Sequence, residues 1–223
     1  MKYLGNLFVS LKEIFIMMIM QYAILILCFI IIGPDSTVLW GSILLLVMQV
    51  IYIVYKICKK QDFKFNFKNR SYFPYVLLGI GIATVYNMIV FRINPPVEVT
   101  TDFPIILNIL CSGIVGPIFE EFLFRFDLVR RLEKFNSNKW IIIILASFVF
   151  GMCHNGIATI IYALIVGIIN SYIFVKDKDI IKPIIVHIAA NIFVNLLTGY
   201  NLIVMILGLM LIIIGYFIIR YKD

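Results

Sequence analysis

The sequence carries its few buried ionisable residues in three short motifs within apolar segments. The first motif holds Glu120, Glu121 and Arg125, the second ends at His154, and the third begins at His187. A charged or imidazole side chain inside a membrane segment costs several kcal/mol, so each needs a partner or a task. Carboxylates and imidazoles are the usual groups of general acid–base catalysis. The three motifs therefore make a candidate hydrolytic site.

The spacing within the first motif separates the roles of its two carboxylates. Glu121 and Arg125 are four residues apart, the arrangement of an ion pair within one helix. Neighbouring side chains on a helix differ by about 100° in direction, so Glu120 faces elsewhere. We expect Glu121 to be structural, held ionised by Arg125. Glu120 is then expected to face a polar cavity and act as a general base on water.

The other two motifs offer imidazole and amide groups at the same helical spacing. Phe150 and His154 are four residues apart, as are His187 and Asn191. One histidine could orient the water, and the second, with the amide of Asn191, could donate hydrogen bonds to an oxyanion. A lone histidine or asparagine in a membrane helix commonly serves helix packing, so the functional interpretation depends on their joint occurrence.

The composition predicts where these motifs lie. The 223 residues are 63% hydrophobic and 14% charged, and the mean hydropathy is +1.06. Apolar runs of about 20 residues, enough to cross a membrane, recur along the whole chain. We predict an all-α, polytopic fold with a single transmembrane domain over residues 1–223. The eight predicted spans are about 14–33, 37–56, 72–92, 104–130, 139–155, 157–175, 180–197 and 201–220.

The basic residues predict the orientation of these spans. An alternating path through eight helices leaves Arg92 alone on one face and gathers the other loop lysines and arginines on the opposite face. By the positive-inside rule, that basic face and both termini are cytoplasmic in a cell membrane. The net charge of +7 then reflects topology and attraction to anionic lipid, not nucleic-acid binding. The dense basic segment 56–70 is read as a cytoplasmic loop in preference to an interfacial element.

The chain also predicts that the motifs lie at similar depth. Glu120 precedes the polar turn 136–138 by about 16 residues, and His154 follows it by a similar number. At 1.5 Å per residue, both lie on the order of 20 Å from that turn. His187 is a shorter distance from the cytoplasmic Lys182. The three motifs are therefore expected to meet in one cavity nearer the cytoplasmic side.

The three motifs resemble those of a known protein family. The stretch Glu120 to Arg125 fits EExxxR, Phe150 to His154 fits FxxxH, and His187 to Asn191 fits HxxxN. Three such motifs in this order resemble the CAAX-processing and bacteriocin-processing intramembrane proteases, also called the CPBP or Abi family, over about residues 103–197. The resemblance implies eight helices around a water-filled cavity that is open to the cytosol and the inner leaflet.

The resemblance also implies roles for the motif residues. Glu120 would be the base, His154 would help to hold the water, and His187 with Asn191 would stabilise the oxyanion. No cofactor is expected. A zinc-dependent version would use His154, His187 and Glu120 as ligands. It is disfavoured because one of the two glutamates is expected to be occupied by arginine, which leaves too few carboxylates for both ligand and base.

The predicted substrate is a membrane-associated peptide or protein, in bacteriocin or pheromone processing, immunity, or CAAX-type processing. A different class of function is a non-enzymatic immunity protein or a small transporter that uses the same polar cavity for protons. A cysteine peptidase built on Cys153 is disfavoured, because adjacent residues on a helix point in different directions.

Overall fold

The computed structural model describes residues 2–59, 72–94, 104–194, 196–197 and 199–222. Within these ranges the chain forms eight helices and no strand. Residues 60–70, most of the predicted basic loop, lie outside the described part, as do residues 103 and 195 of the family-like core. The helices are α1 Lys2–Ile32, α2 Pro34–Cys58, α3 Phe73–Ile93, α4 Ile105–Phe135, α5 Lys139–Met152, α6 Ile157–Asp177, α7 Ile181–Val194 and α8 Leu202–Lys222.

Helix lengths confirm an all-α, polytopic membrane protein. Six helices of the described residues are long and apolar enough to cross a membrane, whereas α5 and α7 are apolar but have 14 residues each. A 14-residue helix is about 21 Å long, short of a hydrocarbon core of about 30 Å. The predicted spans 139–155 and 180–197 were therefore too long. The cytoplasmic location of the termini stays a prediction.

Short polar side chains cap the N-termini of α5 and α7. The Asn138 side-chain oxygen accepts hydrogen bonds from the backbone N–H groups of Trp140 and Ile141, at 3.0 and 3.3 Å, and so caps α5. Asp179 accepts the N–H of Ile181 at 3.0 Å at the start of α7. These contacts satisfy amides that have no partner within their own helix. The predicted turn at 136–138 is confirmed.

The described residues form two compact units, and the predicted single domain over 1–223 stays a prediction. The first unit contains α1, α2, α4 and the start of α5. In α4, π-helical segments at Ile109–Val115 and Phe122–Val129 flank one α-helical stretch, Gly116–Glu121. A Cβ atom at Gly116 would stand 2.7 Å from the Cys111 carbonyl oxygen, so glycine permits the widened turn there.

The second unit contains α3, the rest of α5, and α6 to α8. Helix α3 packs closely on α7 because Gly79 has no side chain. A Cβ atom at that position would lie 2.3 Å from the Val186 carbonyl oxygen. The close approach fixes α7, which carries two of the predicted site residues. The unit's buried core consists of Tyr75, Leu78, Ile82, Val166, Ile173 and Val186.

Helices α5 and α6 lie side by side in this unit and run antiparallel. A Cβ atom on Gly151 would stand 2.7 Å from Leu164 Cγ, and one on Gly167 would stand 3.1 Å from Ser147 Cβ. The last turn of α5 is therefore level with Leu164. Helix α6 extends beyond that level to Ile157, by about seven residues or 10 Å.

Candidate active site

The EExxxR residues lie on α4 in the first unit. Arg125 Nη1 lies 3.2 Å from Glu121 Oε1, and both side chains are 0% exposed. The two desolvated charges stabilise each other, because removing one partner leaves a buried, uncompensated charge. This is the ion pair that the four-residue spacing predicts. Glu120, its neighbour, is partly exposed.

Glu120 and Glu121 end the α-helical stretch of α4, immediately before the second π-helical segment. A π-helical turn contains an additional residue, so it changes the direction of the side chains that follow it. Such turns are frequent at functional sites. The two adjacent glutamates therefore lie at the junction between the two backbone geometries.

His154 lies beyond the end of α5, in the second unit. The prediction that α5 continues to residue 155 was wrong, since the helix ends at Met152. The last carbonyl groups of a helix lack intrahelical partners. The Phe150 carbonyl is one of these, and it accepts both the Cys153 N–H, at 3.2 Å, and His154 Nδ1, at 2.9 Å. Gly156, with φ of 84°, then lets the chain turn into α6.

This contact determines the tautomer of His154. A carbonyl oxygen only accepts hydrogen bonds, so the proton of the neutral ring is on Nδ1. The lone pair is then on Nε2, the ring nitrogen that does not contact the Phe150 carbonyl. A neutral His154 therefore offers an acceptor that can orient a water molecule or bind a metal ion.

Phe150 holds both histidines of the chain edge to face. Its ring centroid lies 4.8 Å from that of His154, at 75°, and 5.8 Å from that of His187, at 89°. Phe150 itself is buried, and its position depends on Gly167, where a Cβ atom would stand 3.2 Å from the Phe150 ring. The structure thus brings Phe150, His154 and His187 together in the second unit.

Asn191 lies on α7, one helical turn after His187. His187 is buried and Asn191 is partly buried. Residues four apart on a helix project from the same face, so the imidazole and the amide share one side of α7. This is the arrangement that the HxxxN spacing predicts.

The sequence analysis missed an ionic network in the first unit. Lys56 on α2 lies 2.6 Å from the carboxylate of Asp127 on α4, and both side chains are almost fully buried. We assigned Lys56 to a cytoplasmic loop and gave Asp127 no role. The available signal was Asp127 itself, an acidic residue inside the predicted fourth span, which required a cationic partner.

The sequence also allows a metal site as an alternative. Among the described residues, no group of three histidine, cysteine, aspartate or glutamate side chains is placed to hold a metal ion. The set of His154, His187 and Glu120 would need both units to contribute.

These features define an all-α, polytopic membrane protein with an acidic pair, a histidine and an asparagine on its apolar helices and a second histidine just beyond the end of α5. Residues 102–193 match the family model of the type II CAAX prenyl endopeptidase Rce1-like proteins. The resemblance read from the three motifs is thereby confirmed, and the matched segment contains every predicted catalytic residue.

Two curated relatives show the same resemblance. The chain is 28% identical over 140 residues to the membrane-embedded CAAX protease MroQ of Staphylococcus aureus strain USA300, covering 54% of this chain and 56% of the relative. It is 29% identical over 123 residues to the putative membrane peptidase YdiL of Bacillus subtilis strain 168, covering 53% and 50%. The chain thus spans about half the length of the relatives it matches. No solved structure gives a significant match.

Proposed function

We propose that this protein is an intramembrane endopeptidase that uses Glu120 to activate water. The observation that carries the proposal is the different environment of the two adjacent glutamates. Glu121 is fully buried against Arg125, whereas Glu120 is partly exposed. A carboxylate that is committed to a buried ion pair is a poor base, so the catalytic role falls to Glu120.

In the proposed reaction, Glu120 takes a proton from a water molecule whose position is set by His154 Nε2. The hydroxide attacks the scissile carbonyl carbon and forms a tetrahedral oxyanion. His187 and Asn191 donate hydrogen bonds to that oxyanion. The C–N bond then breaks, Glu120 gives its proton to the leaving amine, and the products are an amine and a carboxylic acid, which then loses its proton to solvent. The sequence-derived depth of the three motifs supports their meeting in one cavity.

The proposed substrate is a membrane-associated peptide or protein, reached from the cytoplasmic side. The matched relatives are named as membrane peptidases, one of them a CAAX protease. Bacterial bacteriocin or pheromone processing, or an immunity role, is our preferred context within this class. No metal cofactor has a step in the reaction. If zinc were bound, His154, His187 and Glu120 would be its ligands, and it would make a bound water molecule easier to deprotonate.

The test is cleavage of a library of membrane-associated peptides by the purified protein in lipid, read by mass spectrometry. The wild type is compared with Glu120→Gln, and with Glu133→Gln as a control glutamate on the same helix. A parallel sample contains a strong zinc chelator. We expect product from the wild type and from Glu133→Gln, with or without chelator, and none from Glu120→Gln. Removal of a general base lowers the rate by about 10²- to 10⁴-fold.

The other outcomes are equally informative. Full activity of Glu120→Gln would refute the assignment of the base. Loss of activity with the chelator would make the histidines metal ligands. Absence of product from the wild type in every lipid would favour the non-enzymatic immunity or transport function.

A further inference from the structure

A network of charged side chains joins α1, α2 and the part of α4 that follows the glutamate pair. Lys56 Nζ lies 2.5 Å from Glu13 Oε1 and 2.6 Å from Asp127 Oδ2, and Lys56 is 2% exposed. Arg131 also pairs with the Glu13 carboxylate. The Tyr52 hydroxyl donates to Asp127 Oδ2 at 2.5 Å. Two cations and two carboxylates balance, so the network can remain ionised although Lys56 and Asp127 are almost fully buried.

Tyr52 connects this network to the part of α4 that carries Glu120 and Glu121, because it contacts α4 at two points. Its ring packs edge to face on Phe119, with centroids 5.1 Å apart and an interplanar angle of 70°. Its hydroxyl binds Asp127. Phe119 immediately precedes Glu120, and Asp127 follows Glu121 by six residues. The two contacts therefore bracket the glutamate pair along α4.

The two points of contact have a geometric consequence. One contact would leave a helix able to rotate about its axis, and a rotation by one residue position turns a side chain by about 100°. Contacts at Phe119 and Asp127 fix both the rotation and the axial position of the stretch between them. That stretch includes the start of the π-helical segment Phe122–Val129, whose hydrogen-bond pattern differs from that of its neighbours.

We propose that Tyr52, held by Asp127 and Lys56, is a positioning residue that sets the direction of Glu120. This inference rests on the proposed function for its consequence in catalysis, although the contacts themselves lie within one compact unit. Tyr52 is not a catalytic residue here, since the hydroxyl is bound to Asp127. Its role is exerted through the backbone of α4.

The experiment compares Tyr52→Leu and Tyr52→Phe with Tyr55→Leu. Tyr55 is a matched control on the same helix, one turn away, with an exposed side chain that receives a hydrogen bond from Lys59. A displacement of about 1 Å at a catalytic group can cost up to about 100-fold in rate. We expect kcat to fall by about 10- to 100-fold in Tyr52→Leu with KM unchanged. Tyr52→Phe keeps the ring on Phe119 and should recover part of that loss, and Tyr55→Leu should stay within about 2-fold of the wild type.

A second readout separates this proposal from the proposed function. Hydrogen exchange of the α4 amides is measured on equal amounts of folded, monodisperse protein, and we expect faster exchange over residues 116–129 in Tyr52→Leu than in Tyr55→Leu. If that difference appears while the wild type cleaves no peptide, the positioning role stands and the proposed function fails. If Tyr52→Leu has wild-type kcat and wild-type exchange, or if only its KM changes, the positioning role is wrong.

Discussion

Replacement of Lys56 by methionine should destabilise the protein more than any surface substitution. Lys56 Nζ lies between the carboxylates of Glu13 and Asp127, at 2.5 and 2.6 Å. Without Lys56, Glu13 retains Arg131, whereas Asp127 retains only the Tyr52 hydroxyl among its described contacts. Breaking a buried ion pair by removing one partner costs about 3–5 kcal/mol. We expect a loss of that size in the free energy of unfolding.

Neutralising the remaining carboxylate should restore much of this loss. In Lys56→Met with Asp127→Asn, the amide still accepts the hydrogen bond of Tyr52, and no buried charge is left unpaired. We expect the double variant to lose about 1–2 kcal/mol, less than Lys56→Met alone. Reversible unfolding in mixed micelles, followed by circular dichroism, gives all values. Lys59→Met, an exposed lysine on the same helix end, should change stability by less than about 0.5 kcal/mol.

Two results would contradict this account of the network. One is a Lys56→Met variant as stable as Lys59→Met, which would mean that Lys56 is solvated in the membrane-bound protein. The other is a double variant whose loss equals the sum of the losses of Lys56→Met and Asp127→Asn measured separately, which would mean that Lys56 and Asp127 do not interact.

Further expectations concern packing and the buried arginine. Gly79→Ala places a Cβ atom 2.3 Å from the Val186 carbonyl oxygen and should lower the free energy of unfolding by about 1–3 kcal/mol. Gly199→Ala is the control, because nothing lies within 4 Å of its Cβ position, and it should have little effect. Both variants are compared by unfolding followed by circular dichroism. Arg125→Ala leaves the carboxylate of Glu121 buried without its ion-pair partner and should reduce the folded, monodisperse fraction on size-exclusion chromatography. An unchanged elution profile would contradict that expectation.

Features with a local sequence cause were predicted well. The ion pair of Glu121 and Arg125 follows from a four-residue spacing on one helix, and the turn at 136–138 follows from asparagines that cap helices. Helix existence followed from apolar runs of membrane-crossing length. Each of these depends on contacts within a few residues along the chain, which spacing alone can reveal.

Features that depend on distant contacts were predicted poorly. Lys56 resembled a loop residue because it stands beside other lysines in the sequence, yet it is buried by Glu13 and Asp127, which are 43 and 71 residues away. The end of α5 was placed three residues too late, at residue 155 instead of Met152. The ring of His154 ends that helix by binding a backbone carbonyl, and no apolar pattern records such a contact.

The shortness of α5 has a consequence for hydration. Its last turn is level with Leu164, and α6 extends about 10 Å further, so residues 153–156 leave the helical path at a depth where α6 is still apolar. Peptide groups outside a helix cannot be solvated by acyl chains, and at that depth they lie against protein or in water. Asn155 and Gly156 are exposed. We expect water to reach the chain at this break, next to the imidazole of His154.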